Sequence, residues 1–463
     1  MLENHLKTLL LLVKLRQAAS AIRALPTMNI SGRVTGVSGM MVEVGGLDAH
    51  CAVGDRVQLQ PVDQAAIMAE IIGFQHGRAR TLTFGALEGV GPGCTASLQI
   101  TRQGASRFGS LCPSNEWLGR VIDPLGLPLD EGGPLINGPS RAVRTSPPLA
   151  AGRARLGPRG SLGLRALDLF TTCRKGQRLG IFAGSGVGKS TLMSMMARQA
   201  DCDIAVIALV GERGREVREF IEDDLGPSGL ARSVLVIATS DQPPLMRREA
   251  AYAAMTTAEF FRDQGKSVLL MMDSVTRFCL ALREIGIAAG EAPATRGYPP
   301  SVFAELPRLL ERAGPGPERG EHSGHITGLF SVLVEGDDHN EPVADAVRGI
   351  LDGHIVLDRR IGEGGRYPAV DVLRSLSRTV PGCLEKEEAI LVQRARAILA
   401  IQAELADLVR LGAYVPGADP ACDDALRLAP AIEAVLRQAK DENSTIEAAF
   451  AALQQVLEVT YAP

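Results

Sequence analysis

The sequence predicts an α/β protein: a core on a parallel sheet, with a small N-terminal β-barrel before it and a helical C-terminal domain after it. Three patterns predict this. Residues 165–380 alternate near-continuous apolar runs with helical stretches, as strands buried on both faces between crossover helices do. Residues 28–100 alternate short β-rich stretches with glycine turns, the texture of a barrel or sandwich. Beyond Pro381 the pattern is almost wholly helical. Four segments result: 1–25, 26–100, 101–380 and 381–463.

In the first segment, Leu2, Leu6, Leu9, Val13 and Arg16 fall on successive turns of an amphipathic helix. Its apolar run 9–13 is too short for the roughly 18 to 20 residues that cross a bilayer. Lys14 and Arg16 follow that run, whereas a secretory signal places its charge before it. Barrel strands are expected over 32–37, 40–44 and 56–59, and a strand with a turn over 118–126. Residues 131–160, rich in Gly, Pro and Arg, read as a connector. Core strands are expected over 178–183, 204–210, 234–238, 268–272 and 326–334. A helix over 245–264 stops at Gly265. In the last segment, Asp419-Pro420 reads as an N-cap with proline at the first helical position. Ser444-Thr445-Ile446-Glu447 reads as a capping box.

Composition narrows the function classes. A chain of 463 residues with 46% hydrophobic and 22% charged residues is ordinary for a globular protein with a full core. A net charge of −4 gives no footing to nucleic acid as the main partner. The eight cysteines are scattered with no C-x-x-C pair, which points away from a zinc site or disulfide framework and towards a reducing cytosol. His322 and His325 fall in a Gly/Pro-rich loop and are expected to be solvated.

The strongest motif is Ala183-Gly184-Ser185-Gly186-Val187-Gly188-Lys189-Ser190-Thr191, a phosphate loop between an apolar strand and a helix. Its glycines let backbone N–H groups turn inward onto phosphate oxygens, and the helix N-terminus adds a positive dipole end. Lys189 is placed for the β- and γ-phosphates and the Ser190 hydroxyl for Mg²⁺. Ala183 stands at the first consensus glycine, and Lys189 occupies the place where a dinucleotide fingerprint needs its third glycine. A bound nucleoside triphosphate follows.

Asp273 closes the apolar run 268–272 roughly 80 residues later, where a carboxylate holds the water shell of Mg²⁺. Glu212 lies in Gly211-Glu212-Arg213-Gly214-Arg215-Glu216, just past another strand. It either polarises an attacking water or belongs to a solvated charge cluster, and the residues alone leave both open. Tyr367, beside Pro368, stacks on a base or packs on the core; Arg378 pairs with a local carboxylate or lends charge to a transition state.

Together with Thr295-Arg296-Gly297-Tyr298-Pro299-Pro300-Ser301 and the stretch from Tyr367 to Asp371, these motifs resemble the type III protein-export ATPases, themselves similar to the catalytic β subunits of rotary ATP synthases. Residues 334–342, 347–354 and 301–307 look more like the flagellar than the injectisome branch. The resemblance implies a RecA-like P-loop core and Mg²⁺-dependent ATP hydrolysis coupled to export. Glu212 then matches the catalytic glutamate, Tyr367 the ring that stacks on adenine, and Arg378 an arginine finger given to the neighbouring subunit, hence a homohexamer. A stator-like regulator on the N-terminal helix, export-gate membrane proteins, export substrates and chaperones are the implied partners. The implied place is the cytoplasmic face of the inner membrane. The loop's export-type residues disfavour a rotary synthase subunit. The presence of both Lys189 and Glu212 disfavours a catalytically dead one. A barrel segment with Phe74 and Phe84 but no Tyr or Trp disfavours an RNA translocase.

Overall fold

The computed structural model describes residues 26–101, 109–318, 323–334 and 341–458. The expected N-terminal helix, His322 and part of the 334–342 motif lie outside them.

Six strands form the barrel: β1 (Pro26–Ser38), β2 (Met41–Gly45), β3 (Arg56–Gln60), β4 (Ile67–Gln75), β5 (Arg78–Thr83) and β6 (Thr95–Thr101). They close in the order β1-β2-β5-β4-β3-β6, so no strand edge is left open. Burial alternates along β2, with Val42 and Val44 turned inward against Val34, Leu59, Ile71 and Leu98.

The core sheet has nine strands. Those on its main path are β7 (Val121–Ile122), β8 (Arg178–Ala183), β9 (Ile204–Glu212), β10 (Ser233–Thr239), β11 (Ser267–Asp273), β12 (His325–Leu333), β13 (Gly353–Leu357) and β14 (Val370–Ser377). They run in the order β14-β13-β8-β12-β11-β9-β10-β7, all parallel except the antiparallel edge strand β14. The short strand Gly314–Pro315 adds an antiparallel pair to β12.

Both faces of the sheet are covered, which accounts for the unbroken apolar runs. Helix α1 (Lys189–Gln199) lies on one face. The C-terminal helices α6 (Lys386–Arg410), α7 (Pro420–Leu436) and α8 (Ile446–Glu458) share its cluster. The other face buries α2 (Pro244–Arg262), α3 (Val275–Ala289), α4 (Pro300–Leu310) and α5 (Pro342–Ile350). Among the described residues, no helix is long and apolar enough to cross a membrane.

Barrel and core meet in a buried charge cluster. Arg248 on α2 donates to both Glu70 carboxylate oxygens at 3.1 and 2.5 Å, and Arg144 donates to the same carboxylate at 3.0 Å. Arg56 of β3 pairs with Glu249. Arg80 of β5 donates to the carbonyls of Ala288 and Ala289, satisfying orphan acceptors at the C-terminus of α3.

Several local expectations change. The 118–126 strand joins the core sheet as β7 beside β10, so chain preceding the phosphate loop completes the sheet. His325 is not in a solvated loop: it opens β12, half-buried, and its Nδ1 has no hydrogen-bond partner. The Asp419 cap forms as expected, accepting from Ala421 N at 2.9 Å. The α8 cap sits one residue later than expected, because Thr445 Oγ1 accepts from Ala448 N at 3.2 Å. Ser444 Oγ instead donates to the Thr445 carbonyl.

Candidate active site

In a parallel sheet the C-terminal strand ends collect on one edge, and three of them converge here. β8 runs into the phosphate loop, β9 ends on Glu212 and β11 ends on Asp273. The loop and Glu212 line a cleft of about 800 Å³, and Asp273 lies behind Lys189 at its floor.

The loop turns into α1 at Gly188, whose φ of 91° is the left-handed conformation that glycine adopts without strain. Gly184, Ser185, Gly186, Lys189, Ser190 and Thr191 line the cleft. Val187 does not; its side chain is buried in the core and only its backbone belongs to the loop. Gly211, with φ 72°, bulges β9 between Val210 and Glu212, where Arg277 from the first turn of α3 packs against it. That bulge turns Glu212 inward, 17% exposed, while the neighbouring Arg213 lies at the solvent side of the same cleft, 80% exposed and paired with Glu216.

Lys189 Nζ is the centre of charge. It donates to Asp273 Oδ1 at 2.5 Å and lies 3.8 Å from Glu212 Oε1. Asp273 is 5% exposed and Glu212 17%. Burial first, then the Asp273 charge, pushes the Glu212 carboxyl up to about 7, against the pull of Lys189. Glu212 Oε1 is buried with no hydrogen bond.

The donor set fits a hard divalent cation. The hydroxyl of Ser190 and the carboxylates of Asp273 and Glu212 are oxygen donors of the kind Mg²⁺ takes, and Glu212 Oε1 has unspent capacity. Among the described residues no group of three or more His, Cys, Asp or Glu side chains is placed to hold a metal, so the site offers two carboxylates and a hydroxyl rather than a full protein cage.

Tyr367 settles outside the core, 54% exposed. It shares with Ser185, Gly186 and Arg359 a hollow of about 310 Å³ continuing from the loop. Arg378 is not brought to this edge. It follows β14, whose Ser377 pairs with Gly353, and its backbone N donates to Asp352 O at 2.9 Å, level with Arg178. Arg178 precedes Gly184 by six residues, which places Arg378 about 20 Å along the strand direction from the loop at ~3.3 Å per residue. Its side chain is exposed.

Two residues of the cleft and one behind it escape the motif reading. Arg359 donates to Ser185 O at 2.8 Å; Arg277 lines the cleft with its Nε buried and unpartnered; Ser331 Oγ donates to Asp273 Oδ1 at 2.6 Å. None of the three carries a motif of its own; Ser331 is one of two hydroxyl residues, with Thr327, in β12.

A family model for the ATP synthase alpha/beta family, nucleotide-binding domain, matches residues 163–377. A model for the T3SS EscN ATPase C-terminal domain matches residues 384–455. The flagellum-specific ATP synthase of Caulobacter vibrioides is 52% identical over 450 residues, covering 96% of this chain and 100% of that one. This chain belongs to the flagellum-specific ATP synthase family. The Bacillus subtilis member is 46% identical over 91% of this chain and 94% of its own. The Salmonella typhimurium member is 41% identical over 93% and 94%.

Membership in the flagellum-specific ATP synthase family makes the chain an ATP-hydrolysing enzyme, with nucleotide binding and a divalent metal as family properties. Its fold agrees. The assembled ATPase EscN of the enteropathogenic E. coli type III secretion system superposes with TM-score 0.82 at 37% identity, over 92% of this chain and 100% of that one. EscN in complex with its central stalk EscO gives 0.81 at 38%, with the same coverage.

Proposed function

We propose that this chain hydrolyses Mg²⁺-bound ATP at sites shared between neighbours in a homohexameric ring, and that hydrolysis serves export of flagellar proteins. The observation that carries the chemical part is the convergence of Lys189, Glu212 and Asp273 on the edge where the phosphate loop begins. Assembled EscN supports the ring, and its complex with a stalk supports a regulatory partner. The identity of 52% to a flagellum-specific relative, against 37% to EscN, favours the flagellar over the injectisome reading. The cytoplasmic face of the inner membrane, the export gate, a stator-like protein on the N-terminal segment, and substrates with their chaperones complete the reading.

In this reading the loop N–H groups and the α1 N-terminus hold the phosphates, and Lys189 turns from Asp273 to the β- and γ-oxygens. Ser190 and Asp273 would hold a divalent metal and its water shell, and the metal would supply positive charge against the charge that develops on the phosphates. Glu212 orients the attacking water and accepts its proton, a task suited to a carboxyl raised to about 7. Tyr367 stacks on the base. Arg378, about 20 Å from its own loop, completes a neighbour's site, where such a finger contributes about 10³ to 10⁵ in turnover.

The direct test is Glu212→Gln. ATP binding is expected to persist while turnover falls by about 10² to 10⁴. Turnover at the parental rate would remove Glu212 from the mechanism.

A further inference from the structure

We propose that Ser331 is a positioning residue that fixes the metal-holding carboxylate of Asp273, a role that rests on the reading of Asp273 given above. The geometry is direct. Ser331 lies in β12, next to β11 in the sheet, with Phe330 level with Met272. Side chains alternate along a strand, so Ser331 shares a face with Leu329, while Phe330 and Val332 face the opposite core. That places a fully buried hydroxyl beside the last residue of β11, and Oγ donates to Asp273 Oδ1 at 2.6 Å.

Two donors reach Asp273 among the described residues, and both go to Oδ1: Ser331 Oγ and Lys189 Nζ. They are not equivalent. The lysine is long and flexible, and its work is at the phosphates, so binding of nucleotide draws it away from Asp273. The serine is short and fully buried on a central strand. Once Lys189 has turned, Ser331 alone holds the carboxylate plane, whose last torsion is otherwise broad and nearly two-fold. With Oδ1 occupied from behind, Oδ2 is kept for the metal's water shell. Partners of this kind, one step behind a metal-holding group, carry about 10- to 100-fold of metal affinity.

The test is a Mg²⁺ titration of the full chain with a fluorescent ADP analogue, followed by binding rather than turnover. The proteins are the parent, Ser331→Ala, Ser331→Thr and Asp273→Asn. Ser331→Ala is expected to raise the Mg²⁺ concentration for half-maximal binding about tenfold or more. Analogue binding in EDTA and the melting temperature stay at the parental values. Ser331→Thr keeps the hydroxyl and restores the parental midpoint. An alanine variant with the parental midpoint overturns the proposal, and so does a threonine variant as impaired as alanine. Asp273→Asn separates the two levels. An unchanged midpoint there overturns the role of Asp273 itself, whereas a raised midpoint beside an unchanged Ser331→Ala overturns the role of Ser331 alone.

Discussion

Which charges of a crowded turn face inward is decided by single residues. Within Gly211-Glu212-Arg213-Gly214-Arg215-Glu216 the left-handed Gly211 sends Glu212 into the cleft, while Arg213 and Arg215 stay exposed in local ion pairs. The turn is therefore divided: Glu212 is half-withdrawn beside Lys189, and its arginines form the solvated charge cluster. Its environment also gives Glu212 a titration within reach of experiment. The carboxyl is raised to about 7, chiefly by burial, and only its ionised form accepts a proton. The pH profile of kcat/KM, which reports the free enzyme, is expected to rise with pH and bend near 7. A profile already flat from pH 5 upward would refute the assignment. Lys189 and Ser190 were legible because the loop motif dictates both residue and position. Arg277 and Ser331 were not, because what makes them neighbours of the site is strand order, and nothing in their own local sequence encodes that order.

At the level of elements, the closed barrel is fastened to the core by ion pairs rather than by apolar contact alone. Burial pushes the Glu70 carboxyl up, but Arg248, Arg144 and Arg56 outweigh it and hold it below its ordinary value. A lowered carboxyl stabilises the fold above the ordinary carboxylate range, and that contribution is lost as pH falls through the folded value. Glu70→Ala leaves the buried Arg248 without its main partner and is expected to lower unfolding free energy by about 3 to 5 kcal/mol at neutral pH. The gap to the parent narrows as pH falls below the ordinary carboxylate range. Denaturant titrations followed by Trp117, the chain's single and fully buried tryptophan, measure both. Equal stability of variant and parent at neutral pH would contradict the latch. Element types were readable from periodicity, since two-sided burial writes apolar runs and one-sided burial writes alternation. The membership of β7 in the core sheet was not, because a two-residue strand carries no period. The α8 cap slipped because Ser444 and Thr445 are both competent caps, and only the packing of the helix chooses between them.

The whole molecule offers two unlike surfaces to its neighbours in the proposed ring. The loop edge carries Glu212, and the opposite edge carries Arg378. A contact between them is head-to-tail, the kind that closes into a ring. Glu212→Gln and Arg378→Ala chains are each expected to be inactive alone and to recover activity when mixed. In a random equal mixture about a quarter of the junctions join an intact loop to an intact finger, so about a quarter of parental turnover returns. No recovery from demonstrably mixed rings would show that each subunit works alone. The same strand fixes both surfaces: Tyr367 precedes β14 and Arg378 follows it, so what a subunit keeps and what it lends are the two ends of one eight-residue rod. In the proposed ring, a tilt of that rod as one nucleotide seats would be felt next door without any intervening messenger. And because the rod points only one way, such news would circulate around the ring in a single sense, giving the assembly a direction before any cargo arrives.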